Sequence, residues 1–93
     1  MSNIAEIKFK PSPGYILLSP IEESQGLTKK TDTRKGTVVA VGDSVVNQFG
    51  TTVHCPCKVG DVIQREFKYE ADILLDNKKY ELILFTSCQG VYV

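Results

Sequence analysis

The sequence predicts a small all-β protein. Short apolar runs alternate with Gly, Pro, Asn and Asp along the chain, and no stretch repeats apolar residues at helical spacing over three turns. With 93 residues the chain is long enough for one hydrophobic core and too short for two, so we expect a single domain over residues 1–93. Many short strands in so short a chain favour a small barrel over a large sandwich.

Each predicted strand is bounded by turn-forming residues. The strands cover residues 15–19, 36–41, 51–57, 61–64, 72–75, 79–85 and 90–93. Asp76-Asn77 predicts a tight turn between two of them, because both residues tolerate the left-handed backbone of a hairpin. A second hairpin is predicted over residues 43–52, with Phe49 at the tip of a projecting arm. Its turn residues are Asn47, Gln48, Phe49 and Gly50.

The segment 22–35 lacks the apolar pattern of the rest of the chain. Leu27 is its only strongly apolar residue, and its four basic and three acidic side chains leave a net charge of +1. A single leucine cannot build a core, so the segment is expected to be a flexible loop, disordered in the free protein.

Charge and composition exclude several classes of protein. Eleven basic residues balance eleven acidic ones, so no net field draws the chain onto nucleic acid or an anionic membrane. Glu6 would interrupt the apolar core of a signal peptide, and the apolar runs are too short for a membrane helix. Three cysteines cannot all pair within one chain, which fits a reducing compartment. We expect a cytoplasmic protein that binds neither nucleic acid nor membranes.

The cysteines and the one histidine are candidate soft-metal ligands. Their spacing favours another interpretation, because Val53, Cys55, Cys57 and Val59 alternate along one strand and share a face. On such a face cysteine behaves as a small hydrophobic residue. We therefore expect structural cysteines and no bound metal.

No catalytic constellation can be assembled from the sequence. His54 and Cys55 are adjacent on a predicted strand and point to opposite faces, so the histidine cannot activate the thiol. The chain has no glycine-rich phosphate loop, no convergent carboxylate pair and no Ser-His-Asp order. Residues 65–70 alternate aromatic and basic side chains somewhat as nucleic-acid-binding barrels do, but two glutamates cancel the charge. A non-enzymatic protein is expected.

Four segments, in order along the chain, resemble the chaperonin-10 (GroES-like) family of co-chaperonins. They are "PSPGYILLSPIEE" from Pro11, "KGTVVAVG" at 35–42, "KVGDVI" at 58–63 and "DILLDNKKYELIL" at 72–84. The second segment is similar to the family's second strand almost residue for residue. Together the segments extend the resemblance over residues 11–93.

The resemblance implies a GroES-like β-barrel with a flexible mobile loop at 22–35 and a roof hairpin at 43–52. Proteins of this family form heptameric rings that cap an ATP-bound chaperonin and enclose a client protein for folding. ATP belongs to the chaperonin, so no cofactor is expected in this chain. The loop is shorter than the family's mobile loop, and only Gly26-Leu27 resembles its docking residues. The implied chaperonin-binding residues are Gln25, Gly26, Leu27 and Thr28.

The resemblance also implies how a ring would close. In the family, the C-terminal strand of one subunit pairs with the N-terminal strand of the next, which covers two sheet edges. The implied interface residues are Tyr15, Ile16, Leu17, Leu18, Val91, Tyr92 and Val93. Two alternatives stay open: a ring-forming structural or assembly barrel that has lost chaperonin docking, and a metal-binding adapter that uses the cysteines.

Overall fold

A computed structural model of the chain describes residues 8–21, 23–25, 28–30 and 34–93, with 23–25 and 28–30 described by their backbone alone. The described elements are strands and one 3-10 turn at Phe85–Ser87, so the all-β prediction is confirmed. The strands are β1 (Tyr15–Pro20), β2 (Glu23–Gln25), β3 (Thr28–Lys30), β4 (Lys35–Val41), β5 (Val45–Val46), β6 (Thr52–Val53), β7 (Val62–Arg65), β8 (Ala71–Leu75), β9 (Lys78–Leu84) and β10 (Cys88–Val91).

Six of these strands form one antiparallel sheet in the order β10-β7-β4-β1-β9-β8. β1 lies inside the sheet, paired with β4 on one side and with β9 on the other. β10 and β8 are its edge strands, and β2–β3 and β5–β6 are separate two-stranded ladders. Among the described strands no pairing joins β10 to β8. The six-stranded sheet is therefore open in the described part of the chain, and no barrel is closed there.

One hydrophobic cluster occupies the inner face of this sheet. In β1, Ile16 and Leu18 both face this cluster, as residues two apart on a strand share a face. Burying an aliphatic side chain of this size contributes about 1.5–3 kcal/mol, so the cluster is the main stabilising feature of the sheet. Its buried members are Ile16, Leu18, Val38, Ile63, Ile83 and Phe85.

The turn that leads into β1 packs directly against Gly42, just beyond the end of β4. The Gly42 N–H donates to the Tyr15 carbonyl (2.8 Å), and the Gly14 N–H donates to the Asp43 carbonyl (3.0 Å). A Cβ at Gly42 would lie 2.1 Å from the Ser12 carbonyl oxygen, a distance that real Cβ atoms do not adopt. Only glycine lets these two backbone segments come so close.

The tight turn predicted at Asp76-Asn77 is confirmed. Both residues have left-handed backbones, with φ of 50° and 64°. They join β8 to β9 with Leu75 paired to Lys78, the register that a two-residue hairpin produces.

Two segments differ from the sequence prediction. The strand expected over 51–57 is confined to β6, because the chain bends at residues 56–57 and Pro56 has no N–H to continue a ladder. The segment 22–35, expected to be a flexible loop, contains a two-stranded ladder. The backbones of β2 and β3 pair from Glu23 with Lys30 to Gln25 with Thr28. Lys35, at the end of the same segment, begins β4.

Candidate functional site

β1 is not available to pair with another copy of the chain. Both of its edges are occupied within the chain, by β4 and β9, and Ile16, Leu17 and Leu18 are 0 % exposed. Tyr15 is half-buried and pairs with Leu84. The expected interface role of Tyr15, Ile16, Leu17 and Leu18 is therefore corrected: these residues build the interior of the sheet.

Among the described strands, β10 has one edge that pairs with no other strand. It pairs with β7 on one side, with Val91 opposite Ile63, and it is the last strand of the sheet on the other side. Val91 and Tyr92 are partly exposed and Val93 is fully exposed. A strand edge of this kind presents unpaired main-chain groups together with apolar side chains, which is a surface that another strand can cover.

Tyr92, the residue after β10, is held in place beside this edge. Its N–H donates to the Val62 carbonyl (2.8 Å), and its hydroxyl is hydrogen-bonded to the Gln64 side chain. The ammonium of Lys35 lies 4.7 Å from the centre of the Tyr92 ring, a cation–π contact. The C-terminal edge is thus an ordered surface formed by β7, β4 and β10.

The hairpin predicted at residues 47–50 is confirmed and is formed by β5 and β6. The Asn47 side-chain oxygen accepts hydrogen bonds from the N–H groups of Phe49 (2.9 Å) and Thr51 (3.0 Å). The Gly50 backbone has φ of 80°, which suits glycine. Phe49 is 80 % exposed at the tip, so the hairpin presents a large apolar side chain to solvent.

The predicted chaperonin-binding residues fall in the β2–β3 region. Gln25 and Thr28 pair through their backbones at one end of that ladder. Gly26 and Leu27, the two residues between them in the sequence, lie outside the described residues.

A buried ion pair joins β7 to β9, and sequence reasoning missed it. Arg65 and Glu81 are 5 % and 6 % exposed, and the Arg65 Nε lies 2.7 Å from the Glu81 Oε1. The Arg65 Nη1 donates to the carbonyls of Glu66 (2.8 Å) and Phe67 (2.9 Å), and the guanidinium lies 4.6 Å from the Tyr69 ring. With its donors used inside the protein, Arg65 is not presented to an external phosphate.

Tyr69 links this buried network to the surface. The hydrogen bond that its hydroxyl makes to the Asp72 carboxylate raises the pKa of Tyr69, with partial burial as a smaller cause. Asp72 in turn lies 3.7 Å from the Lys79 ammonium in an exposed ion pair. Phe67 also has a contact within the chain, because the Arg34 guanidinium lies 5.2 Å from the centre of its ring.

The three cysteines pack against the core as free thiols. Val53, Cys55 and Cys57 point inward and alternate with exposed neighbours, as the sequence predicts, but Val59 is 49 % exposed and leaves this face. The Lys58–Asp61 turn causes the change, with the Asp61 carboxylate accepting from the Lys58 N–H (3.0 Å).

The thiol environment disfavours ionisation. Burial is the largest cause that raises the pKa of Cys57, and the neighbouring Cys55 adds to it. Burial also raises the pKa of Cys88. His54 points away and shares a hydrogen bond with the Ser44 hydroxyl (3.1 Å). Within the described ranges, no group of three or more His, Cys, Asp or Glu side chains has an arrangement that could hold a metal ion.

Comparisons with known proteins assign no family to the chain. No protein-family model matches it, and no curated protein matches its sequence. In the described part of the chain, no helix has the length and hydrophobicity that crossing a bilayer requires.

Proposed function

We propose that this chain is a GroES-like co-chaperonin, a cytoplasmic, non-enzymatic subunit whose heptameric ring caps an ATP-bound chaperonin and encloses a client protein for folding. One observation supports the proposal: the chain leaves the six-stranded sheet twice, at the sequence positions where the resemblance implies the mobile loop and the roof hairpin. The β2–β3 ladder lies between β1 and β4, at the position of the mobile loop. The β5–β6 hairpin lies between β4 and β7, at the position of the roof hairpin.

The segments that carry the resemblance also support the proposal through their places in the sheet. "KGTVVAVG" provides β4, "KVGDVI" provides the turn into β7, and "DILLDNKKYELIL" provides β8, its turn and β9. These elements include the two neighbours of β1 and the neighbour of β10. The similar segments are thus the framework of the sheet rather than peripheral loops.

The ring would close through the free edge of β10. An exposed apolar edge at residues 91–93 is a surface that a neighbouring copy can cover by adding a strand. Because β4 and β9 occupy both edges of β1, the partner strand must be a segment other than residues 15–19, the segment that the resemblance implies. Deleting residues 91–93 should then convert rings to monomers, as measured by light scattering.

Leu27 is the anchor we assign to chaperonin docking, as the only strongly apolar side chain of residues 22–35. Burying one leucine contributes roughly 1.5–3 kcal/mol, which is weak for one site. A ring repeats the contact around its axis, and linked copies bind far more tightly together than each does alone.

The test is co-sedimentation of the purified ring with a chaperonin, with and without ATP. The native ring should co-sediment only when nucleotide is present, and Leu27→Asp should abolish this while leaving the ring intact. Leu74→Asp is a matched control, because Leu74 is 69 % exposed on the edge strand β8 and its replacement should leave capping unchanged.

Refolding of a client protein by chaperonin and ATP gives a second measurement on the same variants. Equal activity of the native and Leu27→Asp rings would remove Leu27 as the anchor. An intact native ring that never caps the chaperonin would contradict the proposal and favour a structural or assembly protein with the same sheet.

A further inference from the structure

The thiols of Cys55 and Cys57 are neighbours in the structure, with 3.9 Å between their sulfur atoms. Their Cα atoms are two steps of about 3.8 Å apart along the chain, and the bend at residues 56–57 shortens that span. A disulfide requires Cα atoms within about 7 Å and sulfurs about 2.05 Å apart. Rotation of the two side chains is therefore the main movement needed to join them.

We propose that Cys55 and Cys57 are a dithiol pair that a small disulfide oxidant converts to an intramolecular disulfide. Pro56 is the residue between them, and its fixed φ limits the conformations that would separate the thiols. Both side chains are half-buried against the core, which keeps the two sulfur atoms close to each other. The pair is thus held in place before any oxidant arrives.

A solvent-open cavity gives an oxidant access to these sulfurs. It has a volume of about 350 Å³ and is lined by Cys55, Pro56, Cys57, Lys58 and Asp61. A molecule such as oxidised glutathione can therefore bring its disulfide to the rim of the cavity while the core behind the thiols stays packed.

The chemistry is thiol–disulfide exchange, and it proceeds in two balanced steps. The thiolate of Cys55 attacks one sulfur of the small disulfide, which forms a mixed disulfide and releases one small thiol. Cys57 then loses its proton to solvent and attacks the Cys55 sulfur, which forms the protein disulfide and releases the second small thiol. Two electrons and two protons pass from the protein to the oxidant.

The environment of Cys57 favours Cys55 as the first nucleophile. Burial holds this group as a protonated thiol, so it is a poor first nucleophile toward an external disulfide. Once Cys55 carries the mixed disulfide, the attack becomes intramolecular and needs no encounter from solution. Cys88 lies near Cys57 but is not among the residues that line the cavity, so we assign it no part in the exchange.

The experiment incubates the full-length protein in buffers of increasing oxidised-to-reduced glutathione ratio, quenches with acid and alkylates the remaining thiols. Mass spectrometry should show that two of the three cysteines lose their reactivity together, and peptide mapping should place the bond between Cys55 and Cys57. Excess reduced glutathione should restore all of them.

Three variants separate this pair from the alternatives. Cys88→Ser should oxidise as the native protein does, whereas Cys57→Ser should stop at the glutathione adduct on Cys55, and Cys55→Ser should form no disulfide. Far-UV circular dichroism of each variant checks that the sheet is intact. Full alkylation of all thiols in the most oxidising buffer would overturn the proposal, and so would a disulfide that includes Cys88 or joins two chains.

Discussion

Arg65 of β7 and Glu81 of β9 form a two-point ion pair between strands that are not neighbours. The Nε–Oε1 distance is 2.7 Å and the Nη2–Oε2 distance is 3.3 Å. β4 and β1 separate the two strands, so a flat sheet would hold them about 14 Å apart. The pair therefore indicates that the sheet is curled. It connects β7 and β9 through side chains, although no main-chain pairing joins these two strands.

Glu81→Ala should lower the free energy of unfolding by about 3–5 kcal/mol, because it leaves a buried guanidinium without its counter-charge. Asp43→Ala is the matched control, since it removes an ion pair with Lys10 whose side chains are 68 % and 73 % exposed. That loss should stay below about 1 kcal/mol. Urea unfolding followed by circular dichroism measures both. Similar losses for the two variants would show that the buried pair has no special role.

Gly42→Ala should be strongly destabilising, by about 1–3 kcal/mol or more, because the new methyl group would meet the backbone carbonyl of Ser12. Gly90→Ala is the control, as a Cβ at this position in β10 meets nothing within 4 Å. Its effect should remain within about 0.5 kcal/mol. Thermal unfolding separates the two variants, and an unchanged melting temperature for Gly42→Ala would mean that the two backbone segments can move apart cheaply.

Asn77→Val should destabilise the β8–β9 hairpin by about 1–2 kcal/mol, since a β-branched residue is forced into the left-handed backbone with φ of 64°. Asn77→Gly allows the same left-handed backbone, so it should lower the free energy of unfolding by much less than Asn77→Val does. Chemical denaturation of both variants provides the measurement. A valine variant as stable as the glycine variant would indicate that the turn can adopt a different geometry.

Stability should fall in alkaline solution through the buried thiols. The pKa of Cys57 is raised in the folded protein by burial first and by Cys55 second, so the unfolded chain loses this proton at a lower pH than the folded chain. The contribution of Cys57 to the free energy of unfolding is therefore complete below the usual thiol pKa of about 8.5. It declines as the pH rises above that value.

Cys57→Val should flatten this decline without abolishing it, because burial raises the pKa of Cys88 in the same direction. Free energies of unfolding from urea titrations at pH values of about 7 to 10 give the slope. The substitution itself should lower the free energy of unfolding by no more than about 1.5 kcal/mol at neutral pH, because cysteine and valine have similar volumes. A native slope identical to that of Cys57→Val would contradict the assignment.

Features encoded within a few residues could be predicted from the sequence. The Asp76-Asn77 turn and the hairpin at Asn47–Gly50 each depend on local dihedral preferences, and both occur as expected. The inward alternation of Cys55 and Cys57 also follows from neighbouring positions alone.

Features set by long-range pairing could not be read in the same way. The apolar sequence of β1 is compatible with two positions, an edge strand that another subunit covers and an interior strand of the sheet. Only its pairing with β4 and β9 decides between them. The Arg65–Glu81 pair did leave a signal. Arg65 is two residues after the core residue Ile63, and Glu81 is two before the core residue Ile83, so opposite charges occupy inward positions on two strands.

The interior position of β1 also sets the order in which the chain can fold. Its pairing with β4 closes a short stretch of chain, from Pro20 opposite Gly36, whereas its pairing with β9 joins Tyr15 to Leu84. Contacts between residues so far apart form late, because the loop-closure entropy must be overcome before they add stability. During synthesis, one side of an apolar strand therefore remains unpaired until β9 has been made. The chain should be most prone to aggregation before β9 is synthesised, because Tyr15–Pro20 then exposes a strand edge that is paired in the folded protein.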